Sequence, residues 1–296
     1  MNTTITASPA SGSTLKRSLL HGMPPTALHL LRTARVGCLR VLDPVDYFSR
    51  AINNQRRLPP FHLRREVGDP SIFESSGAEF LVYSKLLGDL KSHERVLDIG
   101  CGCGLMALFL EQYLGDSGAY LGVDVQEGAI RWCRAHIGSR APNFEFVHLD
   151  LRNQRYNPRG KAAGIRIPAE DGAIDFIIVK SVFTHMLQPD LEQYMSEISR
   201  LLSRTGRCLA SWYVYSSTGP IGAPGSAGLS FRYGDGVCRY ESKQSRETAV
   251  AYAEPYVRRL LDRHGLRLRG DVLRGAWAGR ADGLSTQDLT IIERLP

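Results

Sequence analysis

The chain has 296 residues, of which 43% are apolar, 8% aromatic and 23% charged. That composition excludes collagen-like, low-complexity and wholly disordered readings, and the length suits one large α/β domain with an extension, or two small domains, and is ample for a sizeable core. The net charge of +7 is concentrated, with ten Lys or Arg against four Asp or Glu in residues 1–70 and near balance beyond, so the basic total by itself does not point to nucleic acid.

Residues 1–14 are small and polar and read as a disordered tail. Pro24-Pro25 precedes a helix predicted from Thr26 to Leu42, where Leu31, Ala34, Cys38 and Val41 recur at helical spacing between arginines. Asp43-Pro44 is expected to end it. This basic amphipathic helix reads as cover for part of the domain, or as a peripheral contact of residues 26–42 with a membrane surface or an anionic ligand. Leu58-Pro59-Pro60 marks a boundary, giving a tail and basic extension over 1–60 and the main domain over 61–296. A helix follows over 76–90, with Phe80, Leu81, Leu87 and Leu90 on its apolar face. From there strands and helices alternate. Strands are predicted at 96–99, 120–125, 144–149, 174–179 and 207–215, and helices at 105–114, 127–137 and 191–202. A Gly/Pro/Ser-rich loop covers 216–236, inside a lid-like insertion over 216–250. Glu254-Pro255 opens a last helix that Gly265 closes. Strands near 266–274 and 287–294 finish the chain. This alternation means a parallel sheet with helices on both faces, an α/β doubly wound fold.

No apolar run approaches the ~20 residues of a membrane helix, and the first dozen residues lack the pattern of a secretory signal. The six cysteines do not make a disulfide scaffold in a chain this long. Cys101 and Cys103 alternate with glycines, which is no zinc spacing. Free thiols and a cytoplasmic protein are expected.

The strongest signal is Val96-Leu97-Asp98-Ile99-Gly100-Cys101-Gly102-Cys103-Gly104. A buried strand runs into alternating glycines and then into a helix, which lets a ligand approach where a Cβ would clash. Asp124 ends the next strand, at the distance expected of a carboxylate that holds ribose hydroxyls. Asp150 ends the one after, beside the place of an adenine. A glycine turn alone also fits a nicotinamide dinucleotide. However, Asp98 near that turn suits a ligand that brings an ammonium and a sulfonium rather than a pyrophosphate.

Val96–Gly104 resembles motif I of the class I S-adenosylmethionine-dependent methyltransferases, and Gly122-Val123-Asp124-Val125 resembles their second motif. Residues 167–176 (IPAEDGAIDF) resemble the segment leading into their fourth strand, and residues 198–207 (ISRLLSRTGR) the helix and turn before the fifth. The resemblance covers residues 76–215. It implies a Rossmann-like, mostly parallel seven-stranded sheet whose final antiparallel hairpin is the two C-terminal strands, with a helical N-terminal extension. It also implies S-adenosylmethionine as cofactor, with Asp98, Gly100, Cys101, Gly102, Gly104, Asp124, Val125, Asp150, Leu151 and Lys180 as the residues expected to bind it.

Methyl transfer needs an aligned nucleophile and, for a hydroxyl, a base. His185, after the fourth strand, is the candidate base; its alternative role is to cap the next helix or pack on the cofactor. Lys180-Ser181-Val182-Phe183 is unlike the Asn/Asp-Pro-Pro-aromatic motif of nucleic-acid amino methyltransferases. Lys180 also stands where the catechol type has a magnesium-binding aspartate, so neither nucleic acid nor metal is expected. The loop Arg152, Arg155, Arg159, Lys161, Arg166 reads as solvated surface or as a contact to an anionic group on the acceptor. Trp212, Tyr213, Tyr215 and Trp277 read as core or as acceptor-pocket lining. The leading expectation is a small-molecule methyltransferase, acting on a hydroxyl of a secondary metabolite, sugar or lipid-linked acceptor. N- or C-methylation, an NAD(P)-dependent reductase, a non-catalytic cofactor-binding protein and an RNA methyltransferase are the alternatives.

Overall fold

The computed structural model describes residues 34, 37–153, 156–157, 159–161, 164–216 and 229–296. The predicted tail and most of the helix expected over 26–42 lie outside these residues. Helices α1 (Asp43–Ile52), α2 (Phe61–Val67) and α3 (Phe73–Leu86) precede β1 (Arg95–Ile99). Then come α4 (Leu105–Tyr113), β2 (Ala119–Asp124), α5 (Glu127–Cys133), β3 (Phe144–His148), β4 (Ile174–Val179), α6 (Gln188–Leu201) and β5 (Leu202–Trp212). After them lie the short strands β6 (Val214–Tyr215), β7 (Tyr233–Gly234), β8 (Cys238–Tyr240) and β9 (Val250–Ala253), followed by α7 (Glu254–Arg263), β10 (Leu266–Leu268) and β11 (Asp288–Arg294).

The main sheet runs β10-β11-β5-β4-β1-β2-β3, with β11 antiparallel to both neighbours. This is the expected seven-stranded, mostly parallel sheet. Because side chains alternate across a strand, Leu97 and Ile99 enter one core with Ile177, Val179 and helices α6 and α7. Val96, Tyr120, Phe176 and Ile178 enter the other core, against α3, α4 and α5. Both faces are covered, so the central strands are apolar throughout.

Some local expectations change. The helical residues 37–40 end in a turn at Val41–Leu42, as the expected break at Asp43-Pro44 requires, but Asp43-Pro44 also opens a second helix, α1. Proline is compatible with the first helical turn, where its missing N–H has no intrahelical partner anyway. Strand β5 starts earlier than expected and breaks at Tyr213, after which β6 joins a second sheet of order β6-β9-β8-β7. The short strands β7 and β8 of that sheet lie within the stretch read as a lid-like insertion, of which residues 217–228 lie outside the described residues. Trp212, Tyr213, Tyr215 and Trp277 are all buried, and the Trp277 indole donates to Asp288 Oδ2 at 2.7 Å.

At the N-terminal edge of the sheet, Arg207 on β5 is buried and donates to Glu94 Oε1 at 2.6 Å and to the Gly88 carbonyl at 2.6 Å. The guanidinium also lies 5.1 Å from the centre of the Phe176 ring. It ties β5 to the segment entering β1, on the edge away from the glycine turn. Replacing Arg207 by Ala strands a buried Glu94, and is expected to lower the unfolding free energy by about 3–5 kcal/mol in urea denaturation.

Candidate functional site

Strand register sets the site. Ile99 pairs with Val123 of β2 and with Val179 of β4. The next residues, Gly100, Asp124 and Lys180, therefore stand in one row at the C-terminal ends of three adjacent parallel strands. The sheet order reverses direction between β1 and β4, and at such a switch point the crevice beyond the strand ends is open.

The turn after β1 requires its glycines. Gly100 has φ +77° and Gly102 φ +53°. A Cβ on Gly100 would lie 2.3 Å from Val182 Cγ2, and one on Gly102 2.6 Å from Val67 Cγ1. Asp124 is buried and accepts from the N–H groups of Gly102 and Gln126, each at 2.8 Å. Burial pushes its carboxyl up, while those backbone donors pull the other way. Asp98 is 2% exposed and accepts from Tyr120 Oη at 2.7 Å. Burial raises it to about 7; the tyrosine bond and the Lys180 charge oppose the rise, and Asp124 adds to it.

At the end of β4, Ser181 is held in the left-handed region at φ +58°, which costs a residue with a side chain about 1–2 kcal/mol. Two hydrogen bonds secure it. Its N–H donates to Ser211 Oγ at 2.7 Å, and its Oγ donates to Gln287 Oε1 at 3.0 Å. This bend lies between Lys180 and Val182, both of which line the crevice. Lys180 donates to Ser76 Oγ at 2.9 Å and lies 5.5 Å from the centre of the Phe80 ring. Burial lowers its pKa. The short turn Phe183–His185 follows, and His185 Nδ1 lies 3.0 Å from the Glu247 carbonyl. A carbonyl only accepts, so Nδ1 carries the proton in the neutral ring and Nε2 is the basic nitrogen. The Tyr156 ring stands edge-on to the imidazole at 6.2 Å.

These groups meet in a cleft of about 1130 Å³, counting its open mouth. Of the expected residues, Gly100, Gly102, Asp124, Val125, Leu151, Lys180 and His185 lie on its wall. Asp98, Cys101, Gly104 and Asp150 do not. Asp98 is turned under the sheet to Tyr120, and Cys101 is buried in the second core. Gly104 caps α4, with Ile137 behind it. Asp150 Oδ1 accepts from Asn157 in the following loop. Of the basic loop, Arg152 is on the wall, whereas Arg166 reaches Glu197 and Asp171.

Other wall residues had no role in the sequence reading: Glu66 and Val67 from α2, and Asp190, Gln193 and Tyr194 from α6. The last three recur at i, i+3 and i+4, which is one helix face and the only signal for them. Burial alone raises the Asp190 carboxyl. Among the described residues, no group of three His, Cys, Asp or Glu is placed to hold a metal ion.

Residues 96–206 match a family model described as a methyltransferase domain. The chain is similar to an arsenite methyltransferase of Aquipseudomonas alcaligenes, 30% identical over 112 residues that make up 38% of this chain and 30% of that protein. It is also similar to the nocamycin O-methyltransferase of Saccharothrix syringae, 28% identical over 157 residues, 52% of this chain and 49% of that one. The chain thus spans less than half the length of these curated relatives. Among solved structures, the pyocyanin biosynthetic protein PhzM shares the fold at a TM-score of 0.50 and 14% identity, over 74% of this chain and 55% of that chain.

The buried Asp98 has a consequence for stability. It titrates near its ordinary 3.8 when unfolded and about 7 when folded. The folded state therefore holds the extra proton between those values, and stability present below about pH 4 falls as pH rises through about 7. Thermal denaturation of the ligand-free protein across this range is expected to show that slope, and Asp98→Asn to remove it.

Proposed function

We propose that residues 96–206, which match a methyltransferase-domain model, belong to the class I S-adenosylmethionine-dependent superfamily with S-adenosylmethionine as cofactor, and that this chain methylates a small-molecule acceptor, at a hydroxyl. The observation that carries this reading is that the glycine turn and Asp124 share one cleft with His185.

The cleft suits the cofactor. Its wall combines a turn without side chains at Gly100 and Gly102, a buried carboxylate at Asp124, and apolar surface at Ile99, Val125, Leu149 and Leu151. In this reading Asp124 would hold the ribose hydroxyls, since each of its oxygens keeps a lone pair beyond its backbone bond. Val125 and Leu151 would flank the adenine, and Gly100 and Gly102 would lie along the amino-acid part. Lys180 would face the carboxylate of that part. Asp98, sealed beneath the turn, would favour the positive end through its field rather than by touch. Asp150, bound into its own loop, is given no role.

The cofactor, when bound, supplies a methyl group on a positively charged sulfur, which is already a strong electrophile. What remains for the protein is alignment and the removal of one proton. His185 Nε2 would take the proton from the acceptor hydroxyl, and the Nδ1 bond to Glu247 would hold the ring and steady the imidazolium that forms. Arg152 on the wall supports an acceptor with an anionic group, a lipid-linked phosphate included. The two curated relatives are named for methyl transfer to small acceptors of different chemistry, which supports a small acceptor without choosing one.

Incubating the protein with methyl-labelled cofactor and a metabolite extract tests the proposal, with a labelled product one methyl heavier as the expected result. His185→Ala should lower kcat by ~10²–10⁴-fold and leave the cofactor Kd nearly unchanged; unchanged turnover removes His185 from the mechanism. Asp124→Asn should weaken cofactor binding in calorimetry by about 10–10²-fold, since it replaces charged hydrogen bonds with neutral ones.

A further inference from the structure

Strand β11 runs antiparallel to β5, so it begins at the edge where the parallel strands end. Asp288, its first residue, pairs with Trp212 on β5, and Val179 of β4 pairs with Ala210 on the other side of β5. Gln287, one residue before β11, therefore stands at the crevice edge beside Tyr213, within reach of the turn that follows β4. Its neighbour fixes its backbone there. The buried Asp288 carboxylate accepts from the Val214 N–H at 2.7 Å, the Gly275 N–H at 2.8 Å and the Trp277 indole at 2.7 Å. The Gln287 amide then spans two hydroxyls. Its Oε1 accepts from Ser181 Oγ at 3.0 Å, and its Nε2 donates to Tyr213 Oη at 3.4 Å.

The Ser181 end of this bridge is the strained one. Among the described residues, the other non-glycine residues at positive φ are Asn54 and Asp89, types whose short polar side chains help them into that region. A strained residue persists only where its surroundings over-determine it, and such residues cluster at functional sites. Here both neighbours bear on the crevice. Val182 Cγ2 fills the space above Gly100 that a Cβ would need, and Lys180 donates to Ser76 Oγ. The short turn that carries His185 starts at the next residue, Phe183. A Ser181 that relaxed to negative φ would shift all three. The Ser211 hydroxyl holds only the Ser181 N–H, and the side chain is held by Gln287.

We propose that Gln287 is a positioning residue of the cofactor site: it holds Ser181 in the left-handed conformation, and Ser181 in turn sets Lys180 and Val182 against the glycine turn. Gln287 is not on the cleft wall, so it acts on the ligand only through Ser181. It also lies outside residues 96–206, the segment that matches the methyltransferase-domain model. The proposal rests on the cofactor reading given above.

Calorimetry of the full-length chain with S-adenosylmethionine tests the proposal. Gln287→Leu keeps the bulk and removes both bonds, so binding must rebuild the left-handed turn. The dissociation constant is expected to rise by about 5–30-fold, which is the ~1–2 kcal/mol of a left-handed residue converted at ~1.4 kcal/mol per tenfold. Gln287→Glu keeps an acceptor for Ser181 Oγ and is expected to show a smaller rise. Glycine adopts positive φ without that cost, so adding Ser181→Gly to Gln287→Leu is expected to bring the constant back to within about threefold of the wild type. An unchanged constant for Gln287→Leu overturns the proposal. So does a loss that either rescue fails to reduce, because it marks general damage to the hairpin. A wild type that binds no S-adenosylmethionine overturns the cofactor reading, and this proposal with it.

Discussion

The carboxylate of Asp124 accepts hydrogen bonds from the two turns that meet at the edge of the sheet, Gly102 on one side and Gln126 on the other. A buried carboxylate without such donors would lose its charge. Bound this way it stays at the strand end and holds the glycine turn in the shape that its positive φ angles require. The β1–β2 register then leaves no freedom: wherever Ile99 sits beside Val123, the turn and the acid face the same crevice. The cleft exists because three parallel strands end level and their loops diverge there.

The two edges of the sheet do different work. At the N-terminal edge, Arg207 and Glu94 lock strand to strand inside a sealed polar cluster. At the C-terminal edge, Asp124 and Ser181 are each held by two hydrogen bonds, and the backbone is bent at Ser181. The small second sheet belongs to this second edge. The short turn Arg246–Thr248, between β8 and β9, presents the Glu247 carbonyl to His185. Tyr252 on β9 donates to the Met186 carbonyl at 2.8 Å. The segment inserted after β5 thus orients the ring on which the proposed proton transfer depends.

The alternating apolar strands and the glycine turn were legible because their signals are local. A parallel central strand is apolar on both faces, and a turn without side chains can be read from four residues. The second sheet was not legible, since strands of two to four residues fall below the length at which period-two alternation shows. The wall residues on α2 and α6 were hidden for a different reason. Glu66, Asp190 and Gln193 look like ordinary helix surface until the fold brings those helices over the crevice. Asp98 and Asp150 show the reverse case. Each ends or nearly ends a strand, yet a local partner, Tyr120 for one and Asn157 for the other, takes the side chain off the wall. Strand-end position places a backbone; it does not aim a carboxylate.

Asp98, Asp124 and Lys180 form an electrostatic unit that is tuned rather than neutral. Burial raises both carboxyls and lowers the lysine, so each group is pushed toward its uncharged form. The tyrosine bond is too weak a counterweight to keep Asp98 in the usual carboxylate range. A cation entering the crevice changes this balance, because it favours the ionised form of the acid beneath it. By linkage, an Asp98 proton given up on binding means that ionised Asp98 binds the cation more tightly. A site that holds a positive sulfur would therefore gain from an acid poised near neutrality, whose charge develops when the ligand arrives, while the empty fold bears the cost as the stability lost when pH rises toward about 7. The same property explains the burial: only a carboxylate shut away from water is displaced far enough to respond.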